Sequence, residues 1–263
     1  MFYQDIQPQN SIRSIKYVYK HGIKEPEHKH QVIQLLHIIK GVIRVYAQNR
    51  CWVIPPSRGL LIPAGVSHSL IAVGNVDLST LYIEPLARAD LPNELGIFQV
   101  STLLCELINT ASRFDNEITI GSREDRINEL ILDELRLLHL TDFNVPMPTS
   151  KNLKVFCEKL SDCCERPWEL ADIANSLSLS VRTVSRKFYS ETGMTFGEWL
   201  RRYRLQKSME LMASGYSVTD AALAVGYDSQ SSFSYTFKKR VGISPSSFVS
   251  LQNHIEEPLI QKS

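Results

Sequence analysis

The stretch ELADIANSLSLSVRTVSRKFYSETG (residues 169–193) is answered later in the chain by VTDAALAVGYDSQSSFSYTFKKRVG (residues 218–242). Each reads as a short helix with a small residue on its inner face, Ala174 or Ala222. Each then breaks into a tight turn, SLSLS or GYDSQ, and resumes as a second helix. That helix carries a phenylalanine in its last turns, Phe188 or Phe237, and stops at a glycine, Gly193 or Gly242. Glycine suits a helix C-terminus because it enters the left-handed conformation without a Cβ penalty. The alanine lets two helices cross closely, and the aromatic ring closes the core beneath them. This is the logic of a helix-turn-helix, whose second helix is presented to the major groove of DNA.

Between the two copies, TFGEWLRRYRLQKSMELMAS (195–214) reads as one helix, with Phe196, Trp199, Leu200, Tyr203, Leu211 and Met212 available for burial. A helix of about 19 residues spans about 28 Å, close to the ~34 Å between successive major-groove faces on one side of DNA. One chain can therefore offer two reading helices to adjacent turns without dimerising. The charge distribution agrees. The net charge of +1 hides −2 over residues 1–149, +4 over 150–250 and −1 over the last thirteen. Within 181–207, seven basic residues stand against two acidic ones, which suits an anionic partner for this end of the chain.

These segments, with the ending Gly242, Ser244 and Pro245, resemble the double helix-turn-helix domain of the AraC/XylS family of bacterial transcription regulators over about 100 residues. The resemblance implies base-reading positions at Arg182, Ser185 and Arg186 in the first unit, and at Gln230, Ser231, Ser234 and Tyr235 in the second. The chemistry is suitable, since arginine grips guanine and glutamine grips adenine bidentately. Lys187, Lys238 and Lys239, with Arg201, Arg202 and Arg204 near the connector, are expected to contact phosphates. One departure concerns Trp168, which stands where a Ser or Thr cap is usual and leaves Pro167 to help set the helix start.

The N-terminal part differs in kind. From about 12 to 85 it reads as short strands broken by Gly and Pro, which suggests a sandwich or barrel. In EPEHKH (25–30), His28 and His30 would share one face of a strand, half of a metal site. Gly22, His28, His30, Gln34 and Gly41 are close in spacing to the first cupin motif, with glutamine in the place of its glutamate. Pro63, Gly65 and His68 approximate the second. That resemblance implies a cupin-like barrel in which His28, His30, Gln34 and His68 converge. Such a pocket would bind a divalent metal, with Zn, Ni or Fe suited to imidazole, or a metal-free small-molecule effector, or its histidines would be structural only. His37 has the opposite strand parity, and Tyr46 and Trp52 are read as core aromatics.

From about 96 to 140 the pattern turns helical, with Ile97, Val100, Ser101, Leu104, Leu107 and Ile108 three to four apart. The expected fold class is α+β, in five parts. These are a cupin-like sensor barrel (1–92), a helical segment for dimerisation (93–142), a linker (143–150), the double helix-turn-helix domain (151–250) and a tail (251–263). No secretory signal or membrane span is expected. Five cysteines without CxxC spacing fit reduced thiols in a cytoplasm, with Cys163 and Cys164 read as buried small residues. The expected partners are double-stranded DNA, a second copy of the chain, a small-molecule effector, and RNA polymerase if the protein activates. The alternatives are a DNA-binding regulator without an effector response, or a cupin metalloenzyme; no catalytic residues are assigned.

Overall fold

Strands rich in branched aliphatic residues need both faces covered when they lose the apolar/polar alternation. The third strand, Ile33–Ala47, is such a run, and most of its residues are buried. A computed structural model describes residues 11–115, 117–141, 143–160 and 165–253. Its first half is an antiparallel sheet of β1 (Ile12–Tyr19), β2 (Lys24–His28), β3 (Ile33–Ala47), β4 (Arg50–Ile54), β5 (Arg58–Ile62), β6 (His68–Ile83) and β7 (Gly96–Gln99). The long strands β3 and β6 run side by side from Ile33↔Ile83 to Ala47↔His68, with register shifts around Lys40. Beyond them, β1 and β2 pair with β6, while β4 and β5 pair with β3. One face encloses Leu36, Ile38, Trp52, Ile54, Leu60 and Leu78. Helices α1 (Thr102–Ala111) and α2 (Arg123–Arg136) bury Leu104, Ile108, Ile131 and Leu135 against another part of the sheet.

The segment expected to be helical from Ile97 begins instead as β7, paired with β5 from Arg58↔Gln99 to Leu61↔Gly96. A close approach explains this: Gly59 has no Cβ, and the Phe98 ring lies where one would project. The stretch read as a linker is not free chain either. Val145–Pro146 forms β8, pairing with Cys51 and Arg50 of β4, and Asn144 and Val145 are buried. Proline is tolerated there because β8 lies at the end of the strand order.

The second half is helical: α3 (Lys151–Lys159), α4 (Leu170–Leu177), α5 (Val181–Thr192), α6 (Phe196–Ala213), α7 (Val218–Ala224), α8 (Gln230–Val241) and α9 (Pro245–Asn253). The sequence repeat becomes a structural repeat. Ser180 and Ser229 cap α5 and α8 through their side chains, and Gly193 and Gly242 end them at φ 69° and 93°. Ala174, Ala222, Phe188 and Phe237 are all buried. Helix α4 starts with a capping box between Glu169 and Asp172, so Glu169 supplies the cap that Trp168 cannot. The expected tail lies outside the described residues from 254 onward, as do Cys163 and Cys164.

The two halves are packed together. Val42, Val53 and Val73 of the sheet share one apolar cluster with Met209, Met212, Phe233, Phe237 and Phe248. Arg44 and Glu210 form a two-pronged ion pair, with Nε donating to Oε1 at 2.7 Å and Nη2 meeting Oε2. Arg58 Nη2 donates to Val241 O at 2.6 Å, at the end of α8, and Gly41 N donates to Gln252 Oε1 at 2.8 Å.

Candidate DNA interface and histidine cluster

Helix α6 is shared by the two helix-turn-helix units. Its first turns put Phe196, Trp199 and Leu200 into a core with Phe156, Ile173, Val184 and Phe188. Its later turns put Leu205, Met209 and Met212 into the cluster that holds Phe233 and Phe237. Its 18 residues span about 27 Å, so one rigid rod spaces the two units.

With Val184 and Phe188 turned inward, the opposite face of α5 must be solvent-facing. Arg182, Ser185, Arg186 and Lys187 are exposed there. On α8, Phe233, Phe237 and Val241 are buried, and Gln230, Ser231, Tyr235, Lys238 and Lys239 are exposed, with Ser234 half-buried. Gln230 is the first residue of α8, and Thr219 of α7 donates to its Oε1 at 3.0 Å. Lys239 lies over the Tyr235 ring at 5.9 Å. Tyr189, which is not among the expected reading positions, is 58% exposed on the same face of α5. Its spacing of three and four from Arg186 and Ser185 was the available signal.

The connector arginines divide. Arg201 is exposed and pairs with Glu198 at 3.2 Å. Arg202 is turned inward, donating to Glu198 Oε1 and to Asn144 O. Arg204 Nη2 donates to Arg166 O at 2.7 Å and its guanidinium packs against Gly226. Arg240 also reaches Glu198, at 3.2 Å. One glutamate thus ties Arg201, Arg202 and Arg240 together beside the connector.

In the sheet, His28, His30 and His68 come together, with potential ligand nitrogens all within 4.8 Å of one another. The route differs from simple strand alternation: β2 ends at His28 with a register shift before it, and His30 lies in the connection to β3. His28 is the direct cross-strand partner of His68. Ring centroids are 4.9 Å apart for His28 and His30, 4.3 Å for His28 and His68, and 5.6 Å for His30 and His68. Burial, together with the two neighbouring imidazoles, pulls the His68 pKa down to about 4 against the opposing hydrogen bond that its Nδ1 donates to Val66 O. His68 is therefore neutral at physiological pH. Gln34 is buried opposite Tyr82, whose ring lies 5.3 Å from that of His30.

His37 is buried apart from the cluster, and burial pulls its pKa down to about 4 as well. Trp52 is in the core as expected, but Tyr46 is 39% exposed. It lines a cleft of about 1030 Å³ between the two halves, with Arg44, Cys51, Lys154, Gln206 and Glu210 in its walls. Burial pushes the Cys51 thiol up to about 12, so it is protonated and unreactive there.

Two family models match the chain: an AraC-like ligand binding domain over residues 14–140 and a helix-turn-helix domain over 173–250. The HTH-type transcriptional regulator NimR of Escherichia coli K12 is 27% identical over 227 residues, covering 86% of this chain and 83% of that protein. RipA of Corynebacterium diphtheriae is 34% identical over 85 residues, covering 32% and 25%. The arabinose operon regulatory protein of E. coli K12 is 28% identical over 143 residues, covering 51% and 49%. Among solved structures, ToxT from Vibrio cholerae aligns with 93% of this chain and 100% of its own, at 16% identity and a TM-score of 0.40.

Proposed function

Because the chain belongs to the AraC family of helix-turn-helix transcriptional regulators, we propose that it reads DNA through two faces on α5 and α8. It is a DNA-binding regulator with an N-terminal ligand-binding domain. The residues we assign to base edges are Arg182, Ser185 and Arg186 in α5, and Gln230, Ser231, Ser234 and Tyr235 in α8. Lys187, Lys238, Lys239 and Arg201 are assigned to phosphates. Arg202 and Arg204, which donate to Glu198, Asn144 and Arg166, we assign instead to holding the connector in place. The observation that carries this reading is the matched pair of capped helices, exposed on one face and fixed to one rod, α6.

The test is binding to DNA from upstream of the protein's own and neighbouring genes, titrated with salt. Arg186→Ala should weaken specific binding by about 1–3 kcal/mol, roughly 5- to 150-fold, and relax preference at a single base position. Lys238→Ala should weaken all sequences about equally and lower the salt slope by about one. Equal loss of specific and nonspecific binding in Arg186→Ala would remove it from the base-reading set.

We also propose that two copies pair through α1 and α2, whose outer faces leave Leu103 and Leu130 exposed, with Leu137 exposed just past the end of α2. Leu130→Lys should then shift the sedimentation of the protein from dimer to monomer without lowering its melting temperature. An unchanged dimer would place the interface elsewhere. No helix among the described residues is long and apolar enough to cross a membrane. The proposed setting is the cytoplasm, where the protein acts as a regulator and not as an enzyme. RNA polymerase is the further partner if it activates.

A further inference from the structure

The second helices of the two helix-turn-helix units begin differently. Each follows a serine cap, Ser180 or Ser229, and the residue after the cap is Val181 in the first unit and Gln230 in the second. Both are exposed. Thr219, the second residue of α7, donates its hydroxyl hydrogen to Gln230 Oε1 at 3.0 Å. Counting from the caps Glu169 and Ser217, the counterpart of Thr219 in α4 is Ala171. The first unit therefore folds with an alanine and a valine where the second has a hydroxyl and a carboxamide. The crossing of α7 and α8 is packed by Ala221, Ala222, Phe233 and Phe237, and an exposed hydrogen bond adds little to it.

What the bond does fix is the way the carboxamide faces. Its oxygen and nitrogen lie on opposite sides of one plane, an acceptor on one side and two N–H donors on the other. A hydroxyl has a single hydrogen, and Gln230 Oε1 is the acceptor that takes it. With Oε1 turned toward α7, the NH2 group is turned away from it and meets no acceptor among the described residues. Glutamine reads adenine by offering an acceptor to N6 and a donor to N7 together. Held by Thr219, Gln230 keeps its acceptor toward α7 and offers hydrogens outward. In the major groove guanine presents two acceptors, O6 and N7, whereas cytosine presents a donor.

We propose that Thr219 is a positioning residue that turns Gln230 from an adenine reader into a guanine reader. Guanine accepts both outward hydrogens, adenine and thymine accept through one atom each, and cytosine sets donor against donor. The bias equals the worth of the bond that holds the amide, about 2- to 12-fold for an ordinary hydrogen bond. Val181 has no side-chain donor or acceptor to orient, so the two units present different chemistry at the same place in the motif. The proposal rests on reading α8 as a DNA-contacting face, and names the base that one of its residues selects.

The test uses the full chain and selection from a library of randomised duplexes. The position read by Gln230 is the one whose preference disappears in Gln230→Ala. Duplexes that differ only at that base pair are then compared in gel shifts at one salt concentration. The wild type should bind a G·C pair best in one orientation and worst in the other, with both orientations of A·T between. Thr219→Val, which keeps the shape and loses the hydroxyl, should lower the ratio of guanine to adenine binding by about 2- to 12-fold. Thr219→Ser should restore that ratio. A merely structural role for Thr219 would weaken all the duplexes alike, and that result overturns the proposal. So does a wild type that prefers an A·T pair, or a guanine-to-adenine ratio that Thr219→Val leaves unchanged. The failures separate. If the folded wild type enriches no sequence, the reading faces fail and the proposal fails with them. If a site is enriched but Gln230→Ala alters no position, Gln230 leaves the base-reading set and the proposal falls, while the α5 assignments stand.

Discussion

Glu210→Ala is expected to destabilise the protein by about 2–4 kcal/mol, because it leaves a largely buried guanidinium without its carboxylate. Arg44 and Glu210 are 25% and 9% exposed in their side chains, so the lower part of the range allows for solvent reaching the arginine. Burial works against the charged arginine, and Glu210 more than offsets it, raising its pKa. With Glu210 gone, only the Tyr46 hydroxyl at 3.3 Å remains as a described partner for Nη1. Replacing both residues, Arg44→Met with Glu210→Met, should restore most of the loss, since matched apolar groups of similar volume often replace a buried pair at little cost. Urea unfolding of Arg44→Met, Glu210→Met and the double variant measures the coupling directly. If the double variant is as unstable as the sum of the singles, the pair does not join the halves energetically. The same variants should retain DNA binding at low temperature, because Arg182, Arg186, Gln230 and Ser231 lie on exposed faces away from this contact.

How much could be read in the sequence depended on whether neighbours along the chain set the outcome. The helical repeat was readable because each unit carries its own instructions. Ser180 and Ser229 start helices, Gly193 and Gly242 end them, and Phe188 and Phe237 mark the inward face. Strand β7 was hidden because Ile97, Val100 and Leu104 have helical spacing. What makes Gly96–Gln99 a strand is an edge offered by β5, more than thirty residues earlier, and room for Phe98 over Gly59. The prolines of 143–150 signalled a break correctly. They carried no sign that Val145 and Pro146 would dock on β4. For the histidines, strand parity put His28 and His30 on one side, whereas the structure brings His30 in from beyond the end of β2. The connector arginines are alike in sequence, and the backbone carbonyls of Asn144 and Arg166 distinguish Arg202 and Arg204 from Arg201. Charge patterns report what a segment carries, not which way it points.

Phe237→Ala and Phe188→Ala remove the same ring from the same place in two copies of one motif, and yet should fail differently. Each ring is fully buried, so each truncation should cost about 3–5 kcal/mol in the unit that contains it. Phe188 packs within the first unit, against Phe196 and Trp199, in a cluster that among the described residues reaches the sheet at β8, through Val145 and the Trp199 bond to Pro146 O. Phe237 sits in the cluster that contains Val42, Val53 and Val73 of the sheet. Loosening the second unit therefore removes apolar cover from the sheet itself, and exposes surface worth roughly 25 cal/mol per Å². Phe237→Ala should lower the melting of both halves together. Phe188→Ala should uncouple a first unit that opens locally while the sheet stays folded. Hydrogen exchange followed by mass spectrometry distinguishes them. In Phe188→Ala, faster exchange should be confined to α3–α5 and the start of α6. In Phe237→Ala it should extend into β3, β4 and β6, where the three valines lie. The same exchange pattern in both variants would mean that the sheet is not part of the second unit's core.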